Sequence, residues 1–527
     1  MLRVLILALC AVLMTGCGAF KKVAVPESAV YVDQAPLVWE RQALDVESYD
    51  LGIALSGGGL RSSLYVFGAL KALYDEGVLQ EADLLSSVSG GGYISYALYT
   101  DHAANMDRGD FGEGLFSDAE FPVQACRLAT TGNFVTNGQY IRTLFAGFAG
   151  FNWDTRAHNL YKDSIFRTYA RDEKSRDGLN VREVPHNVTG NNGAKIPFPI
   201  FNATLQGCEP NNESCPLDGF ARAGIEFTPL WFGSEKLRYQ PWDQRNHQET
   251  LLTAISVSGA AFARLGPLRL QEQTLRWSDC NNKNDASCMS HLHVSDGGHI
   301  ENLGALALVR RNTRNIIVID AEFNKNYSFD GFNILNKRLG AMDHEMTIDS
   351  GDDWRNLQPG GHIAKAVHKG RIRDKRAEDT TARKTDIYYL KMSLPASLPR
   401  EEPVIDWQSG KRAYGEFWNT VRSPADESKE ETLDCDSARD YWRTPNRNAA
   451  GMEEFLKYIV LSYSECLNSG DLSECGLKFL PSRVLPSRYQ FPHFGTEDQS
   501  FYLDQSLAYI GLGYLQGKQL GKIYQNR

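Results

Sequence analysis

Short apolar runs bounded by glycine or polar residues alternate along this chain with segments whose apolar positions recur every three to four residues. "DLGIAL" (50–55), "LLSSV" (84–88), "IFNATL" (200–205), "HLHVS" (291–295), "NIIVID" (315–320) and "IYYLKMSL" (387–394) predict strands. Between the first two, Leu60, Leu64, Phe67, Leu70 and Tyr74 recur at helical spacing, and Gly77 suits a helix C-cap. Helices are also predicted over "YISYALYTDHAA" (93–104) and "IENLGALALVRR" (300–311). Strands that are apolar throughout, alternating with helices, predict an α/β fold in three α/β/α layers with a mainly parallel central sheet covered on both faces. Beyond about residue 400 the pattern turns mainly helical, with "MEEFLKYIVLSYSECL" and a closing "SFYLDQSLAYIGLGYLQGKQLGKIY". Polar insertions interrupt the alternation at 175–197 and 423–440.

The N-terminus reads differently. "MLRVLILALCAVLMTGC" has one basic residue, Arg3, and an apolar run from Val4 to Met14. That run is shorter than the roughly 20 residues a membrane span needs, and it suits a secretory signal. It closes on Leu13-Met14-Thr15-Gly16-Cys17, which resembles the bacterial lipoprotein signal, with Cys17 as the lipidated residue. The alternative is an ordinary signal peptide that contains Cys17. Gly18 in the next place, instead of aspartate, leans toward the outer membrane. The expected organisation is a signal over 1–16, a lipidated tether over 17–46, a catalytic domain with insertions over 47–400, and a helical region over 401–527 packed on it.

Cysteine usage fits export. Of ten cysteines, Cys10 leaves with the signal and Cys17 takes lipid, so 10 − 2 = 8 remain. Six bound short polar loops: Cys208 and Cys215, Cys280 and Cys288, Cys466 and Cys475. Disulfides closing these loops would each stabilise by roughly 2.5 kcal/mol in the chain-entropy model. Cys126 and Cys435 are left over, and the sequence leaves their pairing open. Without CxxC spacing or interleaved histidines, no metal site is expected. The chain has 56 basic and 65 acidic residues and a formal charge of −9, which argues against a nucleic-acid partner.

Three glycine-rich turns carry the chemistry. In "ALSGGGLRSS" a strand enters Gly57-Gly58-Gly59 and a helix follows, so bare N–H groups and a helix N-terminus can hold an oxyanion or a phosphate. No Gly-Lys-Ser/Thr follows and no third spaced glycine is present, so neither a nucleotide nor a dinucleotide cofactor is implied. "SVSGGG" puts Ser89 between a strand and a helix, as in a nucleophile elbow, with Ser87 where the usual motif has glycine. "VSDGGHIENLG" puts Asp296 at a strand end before Gly297 and Gly298. Three such turns at strand ends of a parallel sheet would supply amide donors, a serine and a carboxylate at one ligand site.

Together, Gly57-Gly58-Gly59-Leu60-Arg61, Ser89 within Ser-Val-Ser-Gly-Gly, and Asp296-Gly297-Gly298 resemble the patatin-like phospholipase family, in its cytosolic-phospholipase-related branch. The resemblance spans roughly residues 50–325. It implies a patatin-like fold and a lipid acylhydrolase of phospholipase or lysophospholipase type, acting through a Ser89–Asp296 dyad without histidine. It further implies an oxyanion hole from Gly57, Gly58 and Gly59, Arg61 on a substrate phosphate, and a membrane lipid as substrate. The stretch "AISVSGAAFARLGP" (254–267) receives no role, and "LFAGFAGFNW" (144–153) is read as core or as a lipid-facing loop. His299 is read as part of its turn. Two rivals stand beside this reading: an α/β-hydrolase triad using His362, His368 or His493, and a non-catalytic lipid-binding lipoprotein. Anchoring is tested by Cys17→Ser, expected to abolish palmitate labelling and release the protein from membranes; unchanged labelling would remove the anchor.

Overall fold

The computed structural model describes residues 35–105, 110–131, 153–170, 179–189, 195–206, 222–233, 239–242, 250–259, 273–278, 289–324, 328–349, 357–358, 362–363, 365–375, 384–394, 407–421, 433–443, 449–469, 491–492, 501 and 503–527. Cys17, Cys208, Cys215, Cys280, Cys288, Cys475, His493, the segment 144–152, and the side chains of Cys466 and His362 lie outside that description.

Helix α1 (Ala35–Ala43) leads into strand β1 (Leu51–Leu55), helix α2 (Gly59–Asp75), β2 (Leu84–Val88) and α3 (Gly90–Ala104). Helices α4 (Phe121–Thr131) and α5 (Trp153–Tyr169) precede β3 (Phe198–Gln206), β4 (Arg222–Phe227), β5 (Trp231–Gly233) and β6 (Gln240–Pro241). Then follow α6 (Leu251–Ser258), β7 (Gln273–Ser278), β8 (Met289–Asp296), α7 (Ala305–Arg310), β9 (Asn315–Asp320), α8 (Asp330–Ala341) and β10 (His344–Ile348). A two-strand hairpin, β11 (Leu357–Gln358) with β12 (His362–Ile363), comes before β13 (Val367–Asp374) and β14 (Thr385–Lys391). The chain closes with helices α9 (Trp407–Val421), α10 (Ser437–Arg443), α11 (Ala449–Ser469) and α12 (Leu503–Gln525).

The large sheet runs β10-β13-β14-β9-β1-β2-β3-β4-β5-β6, with β8 on β3 and β7 on β8. Its centre, β14-β9-β1-β2-β3, is parallel, and antiparallel strands flank it on both sides. The alternation of side chains across each strand splits the interior into two cores. Ile53, Leu55, Leu85, Ile317 and Ile319 face α2, α3, α4, α6 and the C-terminal helices. Ala54, Leu84, Ile316 and Val318 face α7 and α8. Burial on both faces explains why the central strands read as unbroken apolar runs.

One expectation needs correction. "HLHVS" does form a strand, β8, but it runs antiparallel to β3, pairing Ala203 with Asp296, Thr204 with Ser295 and Leu205 with Val294. Parallel β2 occupies the same edge of β3 only as far as Val88, opposite Asn202. Two strands therefore approach each other along one side of β3, and their carboxyl ends meet between Asn202 and Ala203. An apolar run gives no sign of strand direction, because direction depends on which edge the strand pairs with.

Three devices fasten the periphery. Arg311, fully buried, meets Glu40 of α1 at 2.7 Å and Glu226 of β4 at 2.9 Å, and the Tyr49 hydroxyl donates to Glu40 at 2.9 Å. A disulfide joins Cys126 of α4 to Cys435, across 309 residues of sequence. Beside it, Arg439 makes a bidentate pair with Glu120 at 3.0 Å. The third device is backbone contact between α2 and α12. A Cβ added at Gly68 would lie 1.9 Å from the Ile510 carbonyl oxygen, and one at Gly513 would lie 2.0 Å from that of Tyr65. The Tyr65 hydroxyl then donates to Gln516 Oε1 at 2.5 Å.

This contact admits no side chain. Gly513→Ala is expected to lower stability by about 2–3 kcal/mol by forcing two backbones apart. Gly340→Ala, with nothing within 4 Å of the added carbon on α8, is expected to be neutral or to stabilise by up to about 0.5 kcal/mol. Thermal melts of the two variants make the comparison.

Candidate active site

Ser89 stands at the junction of β2 and α3 with φ 48° and ψ −118°. An L-residue adopts that conformation only under constraint, at a cost of order 1–3 kcal/mol. Packing on each side imposes it. A Cβ at Gly90 would fall 2.2 Å from the Gly59 carbonyl oxygen, so the two glycine turns touch backbone to backbone. Ser87, in the motif's usual glycine place, pairs with Leu55 and Phe201 in the sheet.

The Ser89 hydroxyl donates to Asp296 Oδ2 at 3.0 Å, across 207 residues. Asp296 Oδ1 accepts the Gly298 N–H at 2.7 Å, which fixes the carboxylate plane. Both residues are buried, Ser89 at 4% exposure and Asp296 at 5%. Burial pushes the Asp296 carboxyl up to about 6, partly offset by the Gly298 amide and the Ser89 hydroxyl.

Two helix N-termini, those of α2 and α3, converge on Ser89, and their first N–H groups lack intrahelical acceptors. Of the three glycines of the upstream turn, Gly57 gives its N–H to the Asn302 carbonyl at 2.8 Å. That bond takes Gly57 out of the expected oxyanion set and leaves the amides of Gly58, Gly59 and, beyond Ser89, Gly90. Gly58 has φ 139°, a conformation only glycine adopts without strain. Arg61 is fully buried: its Nε donates to the Ala321 carbonyl at 3.2 Å, and its guanidinium lies 5.8 Å from the centre of the Phe323 ring. A Cβ on Gly58 would sit 2.8 Å from its terminal nitrogen, which places the guanidinium directly behind the glycine turn.

Among the described residues, the histidines named above make other bonds. His299 Nδ1 pairs with Ser295 Oγ at 3.2 Å. His368 lies on β13, bonded through Nε2 to the Lys365 carbonyl at 2.8 Å, and burial lowers its pKa to about 4. Among the described residues, Asp296 accepts from Ser89 and Gly298 and from no imidazole. No cluster of metal-ligating side chains occurs among the described residues.

Two residues without a role in the sequence reading hold the site together. Ser258, at the end of α6 in the unassigned "AISVSG" stretch, accepts the Ser89 N–H at 2.9 Å and donates to the Asn202 carbonyl at 2.6 Å. It thus buttresses the strained Ser89 turn against β3. Asn302 binds Gly57 through its carbonyl and donates from Nδ2 to Glu322 Oε1 at 3.2 Å. Its Oδ1 lies 2.1 Å from the place of a Gly57 Cβ and 2.6 Å from that of Gly298. One asparagine therefore spaces the Gly57–Gly59 turn from the Asp296 turn.

No protein-family model matches the chain, and no curated protein matches it. Among solved structures, it is similar to human GIVD cytosolic phospholipase A2 over 96% of its own length, with a TM-score of 0.47 and 12% identity. The same human protein in complex with methyl gamma-linolenyl fluorophosphonate gives a TM-score of 0.44 and 14% identity, again over 96% of this chain. The chain spans 66% and 65% of those two structures' chains.

The raised Asp296 pKa has a signed consequence. The folded value of about 6 exceeds the ordinary 3.8, so the stability of the protonated form is present below about pH 4 and lost as pH rises through 6. Asp296→Asn, which keeps the shape without the buried charge, is expected to be more stable than the parent by about 3 kcal/mol at pH 8, with the gap closing at pH 4. Denaturant unfolding at the two pH values measures it.

Proposed function

We propose that the chain is a serine acylhydrolase that cleaves carboxylic esters of lipids, of phospholipase or lysophospholipase type, through an acyl-enzyme on Ser89 with Asp296 as base. One observation carries the reading: a serine in a strained strand-to-helix turn donates to a buried, otherwise amide-bound carboxylate at 3.0 Å. The lipid substrate rests on the three motifs and the lipoprotein-like leader of the sequence.

In this reading the Ser89 proton passes to Asp296 Oδ2 as Oγ bonds to the ester carbonyl carbon, and the carbonyl electron pair moves onto oxygen. The amides of Gly58, Gly59 and Gly90 receive that oxyanion, each worth about 3–4 kcal/mol in comparable sites. Arg61, behind Gly58, adds positive potential to the same turn. Collapse breaks the bond to the alcohol, which leaves with the proton held by Asp296. Water then repeats the sequence in reverse and frees the fatty acid. A carboxylate near pH 6 is a better base than one at 3.8, which is the chemical use of its burial.

Ser89→Ala and Asp296→Asn are each expected to lower turnover of a fatty-acyl ester by 1,000-fold or more (~10³, the scale of nucleophile and base removal), with the double variant no worse than the singles. The parent's kcat/KM should fall about tenfold per pH unit below about 6, where Asp296 is protonated. Alanine at His299, His362, His368 or His493 should leave most activity; a thousand-fold loss at one of them in a folded variant would replace the dyad with a triad.

A further inference from the structure

Asn302 carries an amide oxygen that accepts no hydrogen bond among the described residues. Its other polar atoms are engaged: the main-chain carbonyl takes the Gly57 N–H at 2.8 Å, and Nδ2 donates to Glu322 Oε1 at 3.2 Å. The Glu322 carboxyl is itself held, because Oε2 accepts the Gly331 N–H at 2.6 Å. With the amide nitrogen turned to Glu322, the amide oxygen faces the two catalytic turns. The residue is only half-buried.

Two glycines open the space around that oxygen. A Cβ on Gly57 would lie 2.1 Å from Asn302 Oδ1 and 3.1 Å from the Ser89 Cβ, so a side chain there would stand between them. A Cβ on Gly298 would lie 2.6 Å from the same oxygen and 3.0 Å from Asp296 Oδ1. Gly57, whose N–H is withdrawn from the oxyanion set, thus keeps a path clear from Asn302 to the nucleophile. Gly298 does the same toward the base. We infer that Asn302 Oδ1 is an acceptor for the water that hydrolyses the acyl-enzyme, which makes Asn302 a catalytic residue of that half-reaction. The inference rests on the proposed acylhydrolase reading of the same site.

A water has two protons, and deacylation transfers one of them. That proton passes to Asp296 Oδ2 as the water oxygen bonds to the acyl carbon and the carbonyl electron pair moves onto oxygen. Collapse breaks the bond to Ser89 Oγ, which recovers the proton from Asp296. The second proton stays on the fatty acid, and in a secluded site it needs an acceptor, since a buried donor left unpaired is costly. Asp296 Oδ2 takes the reacting proton and Oδ1 holds the Gly298 N–H. Asn302 Oδ1, beside both turns, is a neutral acceptor that orients the water without taking its proton. Acylation has no such need, because a serine hydroxyl has a single proton. Nor has attack by an alcohol, which carries carbon where water carries its second proton. Asn302 therefore favours water over alcohols, and hydrolysis over acyl transfer.

Burst kinetics on the full-length protein separate the half-reactions, using a p-nitrophenyl fatty-acyl ester whose activated leaving group makes deacylation the slower one. Asn302→Ala keeps the main-chain bond to Gly57. It is expected to slow steady-state turnover by about 10- to 100-fold. Labelling by an alkyl fluorophosphonate, which needs only serine activation, should stay within about twofold of the parent rate. A stoichiometric burst of p-nitrophenol should precede the slow phase, and added methanol should raise the slow rate. A residue that only spaced the two turns would slow labelling and turnover together; that result, or unchanged turnover, overturns the inference. If Asn302→Ala fails to fold, the parent decides: its acyl-enzyme should prefer water to methanol mole for mole, and the opposite preference overturns the inference. Labelling that survives in Ser89→Ala would instead overturn the nucleophile and the reading beneath it.

Discussion

β2 and β8 run toward each other along the same edge of β3, and neither can pass the other. Each must stop near Asn202 and Ala203, and each leaves by a turn at that point. The residue that ends β2 is followed by Ser89, and the residue that ends β8 is Asp296. Their 3.0 Å bond is thus a product of sheet register. A one-residue slip of either strand would carry its terminal group about 3.3 Å along β3 and turn its side chain to the opposite face. The glycines around the junction follow from the same crowding, since three turns share a volume with no place for Cβ atoms.

The same junction sets the electrostatics. Ser89 lies before two converging helix N-termini, whose positive ends favour negative charge on it, while burial makes Asp296 costly to ionise. The two effects point the same way, since each lowers the cost of moving a proton from Ser89 toward Asp296 relative to the same pair in water. Such a site works against the stability of the fold that holds it, because both the strained φ of Ser89 and the buried carboxylate raise the energy of the folded state.

Much of this was legible in the residues themselves. Glycines after an apolar run announce a turn, and unbroken apolar strands announce a sheet covered on both faces, so Ser89, Asp296 and the three-layer architecture could be read directly. Relationships were harder. Ser258 bonds the Ser89 amide from 169 residues away, in a stretch whose only local signal is a run of small residues. The withdrawal of Gly57 from the donor set depends on where Asn302 falls, and the burial of Arg61 depends on Ala321 and Phe323. The Cys126–Cys435 bond, left open by counting, is likewise a tertiary fact. Direction of pairing, as for β8, leaves no mark on hydropathy at all.

The glycine-lined seam between α2 and α12 bears on how the molecule comes to exist. Helix α2 begins at the Gly57–Gly59 turn, yet the helix that covers it lies far along the chain; Tyr65 and Gln516 are 451 residues apart. Closing so long a loop is slow and comes late in folding. While the chain is being synthesised, the face of α2 that α12 will cover has to wait for a helix that emerges hundreds of residues later. A chain cut short before residue 503 would retain Gly57–Gly59, Ser89 and Asp296 and lack the helix against which α2 packs from Tyr65 onward.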